Sequence, residues 1–125
     1  MSKIQRAARA AFVLYTIALT VATHWPGVTI EGPVPRPDVW VHIGAFGVWS
    51  TLLMLTGWLG APTARTAAIA IVVGAAWAAL DELTQPIFNR HAAWSDWFAD
   101  VAGVVVGTIV GAAFVRRRTR RDRGE

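Results

Sequence analysis

Long apolar runs separated by short polar stretches dominate the chain. Three runs approach or reach the ~20 residues that a helix needs to cross ~30 Å of hydrocarbon: residues 10–25, 39–58 and 97–115. A fourth run, residues 67–80, is shorter and leads directly into a polar stretch. The pattern predicts an all-α membrane protein with four transmembrane helices in an antiparallel bundle.

Prolines interrupt the apolar pattern and set the predicted helix limits. Pro26 ends the first run, and three prolines between residues 32 and 37 predict a stiff non-helical connection, because proline fixes φ and biases its predecessor towards extended backbone. Pro62 and Pro86 mark the next two interruptions. We expect one domain with helices over about residues 8–25, 38–58, 65–85 and 95–115, followed by a basic tail over residues 116–125.

Composition agrees with this class, and charge predicts an orientation. Hydrophobic residues make up 54% of the chain, above the ~45–50% of soluble domains. With both termini in the cytoplasm, that side holds three N-terminal basic residues, Arg65 and six C-terminal arginines, whereas the outer side holds only Arg36 and Arg90. This asymmetry follows the positive-inside rule. We therefore predict a multi-pass protein of the cytoplasmic (inner) membrane, N-in and C-in.

The basic residues allow two other interpretations. Lys3, Arg6 and Arg9 before an apolar run resemble the start of a signal peptide, but no small-x-small cleavage site precedes Trp25, so we expect a retained helix. The C-terminal arginines are compatible with nucleic acid binding. Beside an apolar helix, however, such a run fixes topology and contacts anionic lipid, so the predicted partner is the lipid bilayer and not nucleic acid.

Polar residues recur at two levels near the outer ends of three predicted helices. A level is the height of a residue above the cytoplasmic end of its helix, at a rise of 1.5 Å per residue. Residues three or four apart share one helix face. We therefore expect one outward-facing acidic pocket, with Arg90 as its counter-charge. The upper level holds Asp38, Gln85 and Asp96, and the lower level holds His42, Asp81 or Glu82, and Asp100.

Glycines follow the last aspartate at a spacing of four. Gly103, Gly107 and Gly111 continue the face of Asp100 along the fourth predicted helix. Small residues in register let membrane helices approach closely. We expect this strip to pack inwards and to turn Asp100 towards the pocket.

These polar positions follow a characteristic order along the chain. It reads Asp38-x-x-x-His42-x-x-x-Phe46, then Asp81-Glu82-x-x-Gln85, Arg90, Asp96 and Gly103. Over about residues 38–107 this order resembles the VanZ-like family. The family commonly has lysine where this chain has Val39, and asparagine where it has Asp100. The resemblance implies about four membrane helices and a link to low-level resistance to the glycopeptide teicoplanin; it implies no established reaction.

Three classes of function remain open. We favour a non-enzymatic envelope protein whose outer pocket binds a lipid-linked envelope component or an amphiphilic antibiotic. The second class is a membrane-embedded enzyme acting on a lipid-linked substrate, with His42 or Glu82 as general base. The third is a small proton-coupled transporter, which needs polar residues continuing inwards, whereas the inner halves of these helices are apolar. We assign no catalytic residue.

An acid–histidine cluster also suits Mg²⁺, Mn²⁺ or Zn²⁺. No compact ligand motif such as H-E-x-x-H is present in the sequence. We therefore predict neither a metal nor another cofactor. The alternative to a binding pocket is a structural network of hydrogen bonds and salt bridges that holds the helix tops together. The chain has no cysteine, which excludes disulfides and thiolate chemistry.

Overall fold

Four long α-helices and one short 3₁₀ helix make up the fold. The computed structural model describes residues 2–27, 31–33 and 35–124, and this part of the chain contains no strand. The helices are α1 (Lys3–His24), α2 (Pro37–Leu55), α3 (Ala64–Thr84) and α4 (Trp94–Asp122), and the 3₁₀ helix Gln85–Phe88 extends α3. All four segments are long and apolar enough to cross a membrane. The predicted all-α fold is confirmed, and it indicates a multi-pass membrane protein.

Local signals explain where the helices differ from the predicted limits. A capping box between Ser2 and Gln5 starts α1 at Lys3, five residues earlier than expected. α2 ends at Leu55 because Gly57 takes a left-handed backbone, with φ of 71°. α4 continues to Asp122, so most of the expected basic tail is helical. Arginine is a good helix former, which accounts for this extension.

α2 and α4 form the most closely packed pair. A methyl group on Gly103 would overlap the carbonyl oxygen of Ile43, and one on Gly107 would overlap that of Gly47. A Cβ on Gly111 would lie 2.7 Å from the Met54 Cβ. The absence of side chains therefore allows backbone-to-backbone contact, as expected for small residues in register. These contacts follow the same order along both helices, so α2 and α4 run in the same direction.

α1 packs more loosely than α2 or α4. Within the described part of the chain, it buries only Ala8 and Leu19. Hydrogen bonds tie it to α2: Arg9 Nε donates to the Thr56 carbonyl oxygen at 3.0 Å, and the Tyr15 hydroxyl donates to the Ala45 carbonyl oxygen at 3.0 Å. This order shows that α1 and α2 run in opposite directions. Polar contacts hold α1 in place where apolar burial is sparse.

The two ends of the bundle differ in charge. The Gln5 side chain lies against Gly57, and Arg116 Nε donates to the Pro62 carbonyl oxygen at 3.1 Å. The first turn of α1 and the last turns of α4 therefore both meet the α2–α3 turn. We call this the basic end; it holds Lys3, Arg6, Arg9, Arg65 and the arginines of residues 116–123. The opposite end, which holds most of the carboxylates, is the acidic end.

Candidate functional site

A buried hydrogen bond between α2 and α4 lies at the centre of the acidic end. It joins His42 Nδ1 and Asp100 Oδ1 at 2.8 Å, and Asp100 is fully buried. On the other side of the ring, His42 Nε2 lies 3.9 Å from Asp96 Oδ2, one turn away on α4. The glycine contacts of α4 bring these helices close enough for this geometry. The His42 ring is therefore held between two aspartates.

α3 and the 3₁₀ helix that extends it contribute two buried acids and an amide. Gln85 Nε2 donates to Asp81 Oδ2 at 3.4 Å and to Glu82 Oε2 at 3.3 Å. Glu82 Oε1 also accepts a hydrogen bond from the backbone N–H of Ala93, the residue that caps α4. A carboxylate is favourable there because the N-terminus of a helix carries partial positive charge. Glu82 thus joins α3 to the start of α4.

The last turn of α1 completes the site. This contribution of α1 was not predicted from the sequence. The Thr23 hydroxyl donates to Asp81 Oδ1 at 2.8 Å, and His24 Nδ1 lies 3.7 Å from the same oxygen. His24 Nε2 and the Thr84 hydroxyl oxygen are 2.8 Å apart. A threonine and a histidine at the end of the first apolar run were the available signal. We define the polar cluster as Thr23, His24, His42, Asp81, Glu82, Gln85, Asp96 and Asp100.

Two predicted pocket residues have other contacts in the structure. Asp38 lies in the first turn of α2, with a 40% exposed side chain 3.8 Å from the Arg36 guanidinium. It therefore lies at the rim and not in the polar cluster. An Arg90 guanidinium nitrogen donates to the Trp25 carbonyl oxygen at 3.4 Å. Asp81 lies near His24, and Asp96 and Asp100 lie near His42. The role of Arg90 as their counter-charge stays a prediction.

A second buried polar pair lies further into the bundle. The hydroxyls of Ser50 and Thr108 are 2.7 Å apart and buried, eight residues beyond His42 and Asp100 on their helices. At 1.5 Å per residue this is about 12 Å deeper. The pair links α2 and α4 within segments that the sequence pattern indicated to be apolar. Its hydroxyls satisfy each other, so it extends the polar contact between these helices without adding charge.

Acids outnumber basic groups in the polar cluster. Four carboxyl groups share the site with two imidazoles, one amide and one hydroxyl. One carboxylate oxygen, Asp100 Oδ2, is buried without a hydrogen-bond partner among the described residues. Carboxylates in a low-dielectric interior are costly unless they are paired. The cluster is therefore suited to bind a cation or a group that donates hydrogen bonds.

Two mostly apolar grooves flank α1 and reach the polar cluster. The α1/α3 groove has a volume of about 620 Å³ and the α1/α2 groove about 500 Å³. The α1/α3 groove is lined by Thr20, Val21, His24, Trp25, Pro26, Trp77, Leu80, Asp81, Thr84, Ile87 and Phe88. The α1/α2 groove is lined by Tyr15, Ala18, Leu19, Ala22, Thr23, Val41, His42, Ala45, Phe46 and Arg90. Each groove thus joins a hydrocarbon-like surface to cluster residues.

Comparison of the chain with protein-family models, curated proteins and solved structures finds no match. The resemblance to the VanZ-like family therefore stays a prediction. Among the described residues, no group of three or more His, Asp or Glu side chains is arranged to hold a metal ion.

Proposed function

We propose that this protein binds an amphiphile with an ammonium head group, such as an envelope component or an amphiphilic antibiotic. The head group lies beside Asp81, and the hydrocarbon chain lies along the α1/α3 groove. The main observation in support is that Asp81 lines this groove together with Trp25, Trp77 and Phe88. Asp81 is 3% exposed and accepts hydrogen bonds from Thr23 and Gln85, so the ammonium group has to replace one of these donors. A carboxylate and aromatic faces together favour an ammonium group.

Other lining residues support an amphiphile rather than a small polar cation. Leu80 and Ile87 are 53% and 75% exposed, so they offer apolar surface to a hydrocarbon chain. Asp81, together with His24 and Thr84, supplies the polar part of the lining. The groove therefore suits a ligand with both a polar and an apolar part.

The same proposal includes an orientation in the cytoplasmic membrane. With the basic end in the cytoplasm, as the positive-inside rule favours, the polar cluster lies near the outer surface. An envelope component or an antibiotic arriving from outside would then reach the groove through the outer leaflet. The VanZ-like order of polar residues agrees with an amphiphilic antibiotic as ligand.

Binding of three amphiphiles that share one chain tests the proposal. Dodecylamine, dodecanol and dodecyl phosphate are titrated against the purified protein in detergent by calorimetry. We expect the amine to bind about tenfold more tightly than the alcohol, equivalent to ~1.4 kcal/mol. Asp81→Asn should abolish this preference. Equal affinities for all three amphiphiles would contradict the proposal.

Asp38→Asn is the matched control, because it removes the same charge at the rim of the acidic end. We expect it to leave the preference for the amine unchanged; an equal loss in both variants would show that only the overall charge matters. Asparagine at position 81 retains an acceptor for the Thr23 hydroxyl. Thermal unfolding of both variants checks that the fold persists.

A second candidate function is an enzyme that acts on a lipid-linked substrate with His42 as general base. Two observations support it. The buried Asp100 orients the His42 imidazole through Nδ1, and His42 also lines the α1/α2 groove. An acid that fixes a histidine in this way is typical of general-base sites. We expect the wild type, but not His42→Gln, to form a new product from an envelope lipid extract. Identical lipid profiles by mass spectrometry would exclude this activity for that extract.

A further inference from the structure

The basic end contains a third cavity, remote from the polar cluster. It has a volume of about 670 Å³ and lies between the first turn of α1, the α2–α3 turn and the helical extension of α4. Arg116, Arg118 and Arg120 line it together with Leu55 and Phe114. The cavity therefore combines guanidinium groups with hydrocarbon surface.

The arginines of the α4 extension differ in whether they line the cavity. Residues four apart lie on the same side of a helix, so Arg116 and Arg120 share one face, and both line the cavity. Arg117 and Arg121 share another face and are not among the lining residues. Arg118 lines the cavity as well, but it lies next to Asp122. The pair Arg117 and Arg121 is therefore a matched control for the pair Arg116 and Arg120.

A hydrogen bond and an ion pair hold two of the lining arginines in place. Arg116 Nε donates to the Pro62 carbonyl oxygen at 3.1 Å, which fixes the guanidinium against the α2–α3 turn. The acid among the lining residues, Asp122, lies 3.8 Å from Arg118. Arg116 and Arg120 therefore face the cavity with an excess of positive charge. Arginine binds phosphate well because its planar guanidinium donates several parallel hydrogen bonds.

We propose that this cavity binds the phosphate group of an anionic phospholipid between Arg116 and Arg120. The acyl chains of the lipid pack along Leu55 and Phe114. Charge complementarity supports this ligand, since basic residues next to a membrane helix attract anionic lipid. The site is independent of the amphiphile site at the acidic end.

Native mass spectrometry of the purified protein with added lipid tests this site. Dioleoyl phosphatidylglycerol and dioleoyl phosphatidylcholine are compared, because they share acyl chains and differ in net charge. We expect phosphatidylglycerol to be retained about tenfold better. The double variant Arg116→Gln/Arg120→Gln should lose this preference, while Arg117→Gln/Arg121→Gln, with the same change in charge, should keep it.

Two results would overturn the proposal. An equal loss in both double variants would show attraction to the basic end as a whole instead of a defined site. Complete displacement of phosphatidylglycerol by millimolar inorganic phosphate would identify the free anion as the ligand, because acyl contacts should hold the lipid in place. Thermal unfolding of both variants, which change exposed side chains, confirms that they remain folded.

Discussion

The two carboxylate oxygens of Asp100 have different surroundings. Oδ1 shares a hydrogen bond with His42, whereas Oδ2 is buried without a partner among the described residues. Removing His42 would leave the whole carboxyl group unsatisfied in the interior. The His42–Asp100 pair therefore contributes both to the packing of α2 against α4 and to the polar cluster.

A double-mutant cycle tests this coupling. His42→Leu and Asp100→Leu each leave one buried polar group unpaired, and we expect each to lower the free energy of unfolding by about 1–3 kcal/mol. The variant with both changes should lose about 1 kcal/mol less than the sum. Unfolding by SDS titration in mixed micelles measures these values; strict additivity would contradict the coupling.

At the residue scale, the sequence predicts the cluster only where periodicity and depth determine the position. His42 and Asp100, predicted at the same level, share a hydrogen bond, because helical rise and the glycine face set their level and direction. Thr23 and His24 were not predicted, since their contacts with Asp81 depend on how α1 is rotated against α3. Hydropathy does not determine that rotation.

At the scale of elements, the contact between α2 and α4 depends on glycine. A side chain at position 107 would overlap the Gly47 carbonyl oxygen, whereas one at Gly44 meets nothing within 4 Å. We expect Gly107→Ala to lower the free energy of unfolding by about 1–3 kcal/mol through overpacking. Gly44→Ala is the control on α2 and should be neutral or slightly stabilising, since alanine favours helix. Equal effects in the same SDS titration would show that close packing is not required.

The spacing of the glycines predicts their close packing. The sequence pattern does not predict the length of α4. Charge suggested a tail after residue 115, while the backbone continues as a helix to Asp122. Hydropathy indicates where a segment leaves the hydrocarbon, and it does not indicate where the helix ends. This distinction matters because the helical extension places Arg116 and Arg120 on one face.

For the whole molecule, the separation of charge between the two ends leads to a prediction of its orientation in the membrane, with the basic end in the cytoplasm. The chain has no cysteine, so single cysteines report exposure without background. We expect His91→Cys, in the loop at the acidic end, to react with an impermeant maleimide in intact cells. Ala64→Cys, at the basic end, should react only after the cells are permeabilised. The reverse pattern would place the polar cluster in the cytoplasm.

The apolar runs account for the four helices, but not for the grooves beside α1. A groove depends on how side chains of two helices fill the space between them, and α1 buries few residues in the described structure. The acidic chemistry could be predicted from the sequence. The apolar surface beside it, which suggests an amphiphilic ligand, became evident only from the packing.

The location of a bound amine tests the central claim most directly. Dodecylamine carrying a diazirine on its chain is photo-crosslinked to the protein, and the labelled residues are identified by mass spectrometry. We predict adducts within residues 20–26 and 77–88, which contain the lining of the α1/α3 groove, and their loss in Asp81→Asn but not in Asp38→Asn. Labelling spread evenly over the lipid-facing surfaces of the helices, and unchanged in Asp81→Asn, would contradict the claim.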